Sequence, residues 1–249
     1  MQPELYTAAQ GLVARQFQLD NITNNIANVN TTGFREVTGF FSAYNKSLEE
    51  GPVNVLNNAA NNQPVIAGVF YHSRQGAIKA TGNPFDMAIE GDGFYRVETP
   101  EGQRYTRNGS FTLDTQNRLV TRDGHPVVDA NTNLPITLNT NAEDTYVKGD
   151  GTIIQDGAVQ GKVKLVDFAD KGLLKPDAGT LLIHDNPNAV ELAADGEIHA
   201  RHLETSNVNL AKQMVDMIVM QRAYDANIRT IRTIDSGLNE QVIRGYAPR

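Results

Sequence analysis

Apolar residues recur every seventh position at both ends of the chain. Near the N-terminus Leu5, Leu12, Leu19 and Ile26 form one row, and Ala8, Ile22 and Val29 fill most of a companion row three residues later. Arg15 interrupts the companion row. Pro3 suits a first-turn position, where its missing N–H costs nothing, and Glu4 suits the positive end of a helix dipole. Near the C-terminus Leu210, Met217, Tyr224, Ile231 and Leu238 repeat the spacing, with Met214, Ile228 and Val242 beside them and Gln221 and Asp235 as polar exceptions. A strict period of seven, rather than 3.6, predicts a coiled-coil-like seam that needs a helical partner.

Between these stretches the period changes to short runs of β-formers such as GVFYHS, MAIEGDGFYRVET and GKVKLVDF, punctuated by Gly, Asn, Asp and Pro. In SFTLDTQNRLVTRDGHPVV, Asp123-Gly124 and the turn formers at 114–117 separate strands in the manner of a hairpin or meander. The expected fold class is α+β, with long N- and C-terminal α-helices packed together as a coiled-coil-like pair around an inserted, mainly antiparallel β domain. The expected divisions are an N-terminal helix over 1–33, a linker and extended segment over 34–75, a β-rich outer domain over 76–180, a return β segment over 181–203 and a C-terminal helix over 204–246. Residues 45–64 show no clear period and read as polar linker.

Two copies of Asn-x-Asn punctuate the helix ends. Asn28 and Asn30 tolerate left-handed backbone and can bond the last groups of the first helix, and Gly33 offers positive φ just beyond. Asn207 and Asn209 follow Thr205 and Ser206, where the returning helix needs an N-cap. On this reading Gly33→Val disturbs assembly and leaves the β region folded.

Composition narrows the function classes. The 249 residues are 40% hydrophobic and 20% charged, with no apolar span long enough to cross a bilayer. A net charge of −7 leaves no basic footprint for nucleic acid. There are no cysteines, so disulfides, thiolate metal sites and cysteine nucleophiles are excluded together. The N-terminal residues lack the basic, apolar and small-residue regions of a cleaved secretory signal.

Catalytic motifs fare poorly. The glycine pairs Gly91/Gly93 and Gly149/Gly151 lack the third glycine and following helix of a dinucleotide fingerprint. Asp86, Glu90 and Asp92 place three acids together, but along a strand Asp86 and Glu90 lie roughly 13 Å apart at the usual rise per residue. They match no calcium loop. His72, His125 and His184 are scattered, and His199 and His202 lack the intervening Glu of a zinc protease helix. Ser110 has no nucleophile elbow around it. No catalytic residue, cofactor site or metal site is therefore expected, and no cofactor. Two other classes stay open on residues alone: a secreted cell-wall-active enzyme built on the 86–92 acids, and a β-rich binding module.

Three motifs in order, LDNITNNIANVNTTGFRE at 19–36, TGNPFDMAIEGDGFYRVETPEGQRYTRNGSFTLDTQNRLVTRDGHPVV at 81–128 and LETSNVNLAKQMVDMIVMQRAYDANIRTIRTID at 203–235, resemble the flagellar basal-body rod and hook protein family. The short linker and the 81–95 block are most similar to proximal rod subunits, with distal rod subunits a close second. The resemblance implies a structural subunit of the periplasm-spanning rod, exported without a cleaved signal through the type III export apparatus, that transmits torque and encloses the export channel. Its implied partners are other rod and hook-basal-body proteins and further copies of itself in a helical assembly. The assembly interface it implies uses Leu5, Leu12, Leu19, Ile22 and Ile26 with Leu210, Met214, Met217, Tyr224, Ile228, Ile231 and Leu238. A head-to-tail contact of this kind builds a filament rather than a closed ring.

Overall fold

Helix α1 (Pro3–Ala27) opens the chain, and β1 (Val37–Tyr44) and β2 (Gln63–Tyr71) follow as a two-stranded sheet. The computed structural model describes residues 3–44, 63–140, 142, 144–177, 179–186 and 190–245, and side chains within 3–8, 40–68, 234–235 and 237–245 lie outside that description. Most of the 45–64 linker expected from the sequence thus falls outside the described residues.

Short strands then succeed one another: β3 (Ile78–Ala80), β4 (Met87–Glu90), β5 (Phe94–Thr99), β6 (Gly102–Thr106), β7 (Phe111–Leu113) and β8 (Leu119–Thr121). After them come β9 (Thr145–Val147), β10 (Thr152–Gln155), β11 (Ala158–Lys162), β12 (Leu165–Asp167), β13 (Leu174–Pro176) and β14 (Leu181–His184). β15 (Leu192–Ala193), β16 (Glu197–Ala200) and β17 (His202–Glu204) complete the strands, and α2 (Leu210–Gly245) closes the chain. Every described strand pairing with a stated register is antiparallel.

The chain divides into two units. One comprises residues 1–27, 37–70 and 209–249, and the other residues 28–36 and 71–208. The second, β-rich unit is built on a six-stranded sheet in the order β13-β14-β6-β5-β12-β15. Strand β5 lies inside it and shows why a period of two carries the core: Tyr95 and Val97 bury in one cluster with Met87, Leu119 and Ile153, while Phe94 buries in another with Tyr105 and Phe168. Tyr95 stands edge-on to Phe111 and Tyr105 edge-on to Phe168, an arrangement that suits the ring quadrupoles. At one edge of the sheet Asp177 N–H donates to Leu181 and Asp185 N–H to Leu173. By the alternation of an antiparallel ladder, Pro176 occupies a position whose backbone faces away from β14. The opposite edge, β15, is two residues long.

The expected fold class is corrected. Two helices stand against seventeen strands among the described residues, so the chain is mainly β, and the helices do not form a coiled-coil pair. A coiled coil buries apolar knobs along its seam. Among the described helix residues here, only Asn25 and Gln213 are fully buried, at 2% and 3% exposure, and both are polar. The rungs where α2 meets α1 are mixed: Gln213 with Asn25 at 3.5 Å, Met220 with the Arg15 guanidinium at 3.7 Å, and Asn227 beside Gly11. This row of 213, 220 and 227 sits one residue away from the expected companion row of 214 and 228, which leaves Met214 exposed.

Candidate assembly site

The structure distributes the seven-residue rows unevenly. On α1, Leu12, Leu19, Ile22 and Ile26 are half-buried; on α2, Met217, Tyr224, Ile228 and Ile231 are half-buried, while Leu210 and Met214 are exposed. The side chains of Leu5 and Leu238 lie outside the described residues. A second set, absent from the sequence-level rows, joins Leu210 and Met214 on the surface: Val215, Ile218 and Val219, each at least half exposed. At 100° per residue, Leu210, Met214 and Ile218 climb one i, i+4 row and Val215 and Val219 the next, so five apolar side chains form one patch over the first turns of α2. Its signal in the sequence is the run MVDMIVM at 214–220, which is apolar almost all round the helix and so exceeds what a single seam consumes. On α1, Val13 is likewise exposed.

The helix-end residues take separate tasks. Asn28 accepts from Thr31 through its backbone oxygen and through Oδ1, both at 3.1 Å, making the turn that ends α1; Asn30 is exposed. Gly33 has φ of +68°, and its N–H donates to Glu204 O at 2.8 Å. Asn209 stands immediately before α2, where its Oδ1 accepts from Lys212 N–H at 3.1 Å, an N-cap bond. Asn207 instead laces strand ends together. Its Oδ1 accepts from Glu36 N–H at 2.7 Å, and its Nδ2 donates to Arg74 O at 2.6 Å and His72 O at 3.3 Å. An asparagine amide offers both donor and acceptor, which is what such a bridge between three backbone segments requires.

Beside this lacing lies a buried charged cluster that sequence reasoning missed. Arg35 Nη2 and Arg107 Nη1 approach opposite oxygens of Glu204 at 3.3 and 3.5 Å, with side-chain exposures of 6%, 2% and 1%. Arg107 also donates to Gly91 O at 2.6 Å and lies over the Phe94 ring at 5.3 Å. Burial, and then the like charge of Arg35, lower the Arg107 guanidinium to about 10, which still leaves it cationic at neutral pH. Burial pushes the Tyr71 hydroxyl up to about 12. Three charged residues so far apart in sequence carry no motif, so only the fold reveals them.

The acids weighed as a catalytic set are committed elsewhere. Asp86 is buried and accepts from Asn83, Glu90 meets His199 Nε2 at 2.5 Å, and Asp92 pairs with Lys171 at 2.7 Å. The hydrogen bond from Lys171 holds the Asp92 carboxyl below the usual carboxylate range. The rings of His199 and His202 lie 6.1 Å apart, and no cluster of three metal-ligating side chains occurs among the described residues. A cavity of about 560 Å³ is lined by Arg104, Tyr105, His184 and Glu191 among others, but Arg104 pairs with Glu101 and Asp177, and Tyr105 donates to Glu191. Among the described residues, no helix is long and apolar enough to cross a membrane.

Comparison with known proteins gives three family matches in chain order. Residues 5–35 match the family described as flagella basal body rod protein, residues 88–155 the flagellar hook protein FlgE/F/G D1 domain, and residues 199–241 the flagellar basal body rod FlgEFG protein C-terminal. Similar full-length proteins include the flagellar basal-body rod protein FlgG of Borreliella burgdorferi, 33% identical over 265 residues, covering 96% of this chain and 97% of that protein. The flagellar basal-body rod protein FlgF of Rhizobium meliloti is 32% identical over 244 residues, 97% of each chain. FlgG of Bacillus subtilis is 34% identical over 264 residues, 96% of this chain and 97% of its own.

Proposed function

Because the chain belongs to the flagellar basal-body rod protein family and is a structural subunit of the rod, proximal or distal, we propose that it is a proximal, FlgF-type subunit that docks onto neighbouring rod subunits through the apolar face of α2. The proximal assignment rests on length. The alignment to the Rhizobium FlgF runs 244 residues and needs few gaps, whereas those to FlgG proteins run 264 and 265 residues, longer than this 249-residue chain. The distal reading keeps the support of similar identity, and complementation separates the two: a strain lacking its FlgF-type subunit regains motility with this chain, and one lacking its FlgG-type subunit does not.

The docking proposal is carried by one observation, the patch of Leu210, Met214, Val215, Ile218 and Val219 left exposed. Burying one such side chain contributes about 1.5 to 3 kcal/mol, so five supply ample association energy after the cost of ordering. The half-buried row of Leu12, Leu19, Ile22, Ile26, Met217, Tyr224, Ile228 and Ile231, continued by Leu5 and Leu238, forms the remainder of the proposed interface. Passage through the type III export apparatus without a cleaved signal, and a purely structural role without catalysis, complete this reading. The test is the pair Val215→Glu and Ile218→Glu together. The doubly substituted chain should remain folded and soluble yet be absent from isolated basal bodies, with motility lost. Normal incorporation and swimming would overturn the assignment of the face.

A further inference from the structure

The cluster of Arg35, Arg107 and Glu204 is larger than an ordinary ion pair in what it joins. Two guanidiniums share one carboxylate, and none of the three side chains is more than 6% exposed. The carboxylate also accepts from Gly76 N–H at 3.0 Å, Arg35 donates to Ser73 O, and Arg107 reaches Ile89 O and Gly91 O. Glu204 is the last residue of β17, the final strand, which pairs with β3 through Glu204 and Ile78. Its own carbonyl holds Gly33 N–H, and its neighbour Thr205 N–H donates to Ala77 O at 2.8 Å. One late residue therefore bonds to Gly33, Arg35, Gly76 and Arg107, pairs with Ile78, and through the two arginines reaches Ser73, Ile89 and Gly91.

Until Glu204 is in place, two positive charges have to share a dry site with backbone carbonyls as their direct partners and only the charge of Asp92 farther off to offset them. Breaking a buried pair by removing one partner is strongly destabilising because the remaining charge is uncompensated. We propose that Glu204 is a charge latch: residues 33–36 and 73–77 cannot settle on the β-rich unit until β17 delivers the carboxylate, so these segments and the final strand are fixed in a single event. The latch makes closure of that unit depend on a residue placed near the end of its sequence. A chain not yet delivered as far as residue 204 stays open at this point.

The test uses the full chain and amide hydrogen exchange. Glu204→Gln keeps the size of the side chain and one acceptor for Gly76, but removes the charge and points amide donors at a guanidinium. Exchange over 33–36 and 72–77 should accelerate about a hundredfold, as loss of a buried charge partner requires, while 152–155 in β10 keeps its relative protection. Adding Arg35→Met to Glu204→Gln returns the local charge to its original balance and should restore protection to within about tenfold of the parent. Unchanged exchange in Glu204→Gln, or a double variant no better protected than the single, would overturn the latch. Should Glu204→Gln fail to fold, recovery of a folded chain on adding Arg35→Met supports the proposal, and failure to recover it counts against it.

Discussion

At Gly33 the backbone and the packing make the same demand. Its φ of +68° lies in the left-handed region, and a Cβ built there would fall 2.3 Å from the backbone nitrogen of Asn108 and 2.5 Å from the carbonyl carbon of Arg107. The conformational demand was legible in the sequence, because a glycine after an asparagine-rich helix end signals positive φ. The close approach was not, since Asn108 is distant in the chain and nothing local records it. The difference changes the expected outcome of substitution. A side chain at 33 strikes the β-rich unit itself, so it does not leave that unit folded and impair assembly alone. Gly33→Ala should lower the stability of the unit by at least the roughly 1–3 kcal/mol of a non-glycine residue in this region, with the clash adding to it. Urea unfolding followed by tyrosine fluorescence measures it, and a midpoint unchanged from the parent would contradict the packing described.

Elements expose the limits of reading periodicity. The sevenfold rows located both helices, yet they could not say which face meets a neighbour. Gln213 and Asn25 occupy the buried positions and Met214 faces out. The reason for a buried asparagine lies in β1. Asn25 Oδ1 accepts from Val37 N–H at 2.9 Å and its Nδ2 donates to Val37 O at 2.8 Å, so one side chain satisfies both backbone groups where the strand begins. Asn25 lies on neither seven-residue apolar row, so the hydrophobicity pattern assigns it no buried role. Asn25→Leu, which places an apolar side chain at a buried position, should nonetheless destabilise the unit containing α1 and β1 by about 1–3 kcal/mol, the cost of stranding buried polar groups. Hydrogen exchange at Val37 reports the loss directly, and a stabilised Asn25→Leu chain would refute this assignment.

For the whole molecule, local pairings were readable and distant ones were not. Hairpins such as β5–β6 and β7–β8 join runs separated by turn formers. The pairings β16–β4 and β17–β3 unite strands more than a hundred residues apart and leave no trace in local composition. The same holds for Glu191, which gathers Arg96 at 3.2 Å, Lys164 at 2.9 Å and the Tyr105 hydroxyl at 3.0 Å. Burial works to raise this carboxyl, but Lys164, Tyr105 and Arg96 together hold it below the ordinary glutamate value of 4.5. Since the folded-state value lies below the unfolded one, the stabilisation is complete above about pH 4.5 and is lost as pH falls through the folded value. Glu191→Gln should therefore be less stable than the parent at neutral pH, with the gap narrowing on acidification below pH 4.5. Denaturation midpoints between pH 3 and 7 measure this, and a gap independent of pH would show that Glu191 acts through shape alone.

Pro176 gives the molecule a further property. An exposed sheet edge invites any extended chain to add itself as one more strand, and the subunits of a rod are held at very high local concentration. At the outward-facing position on β13 the proline has no N–H to offer, and the other edge ends after two residues. In the vocabulary of polymers, this sheet has had two unwanted valences capped. At these two edges the six-stranded sheet offers a neighbouring chain little backbone to pair with, so contact there falls to side chains, which can discriminate one neighbour from another where backbone pairing would accept any.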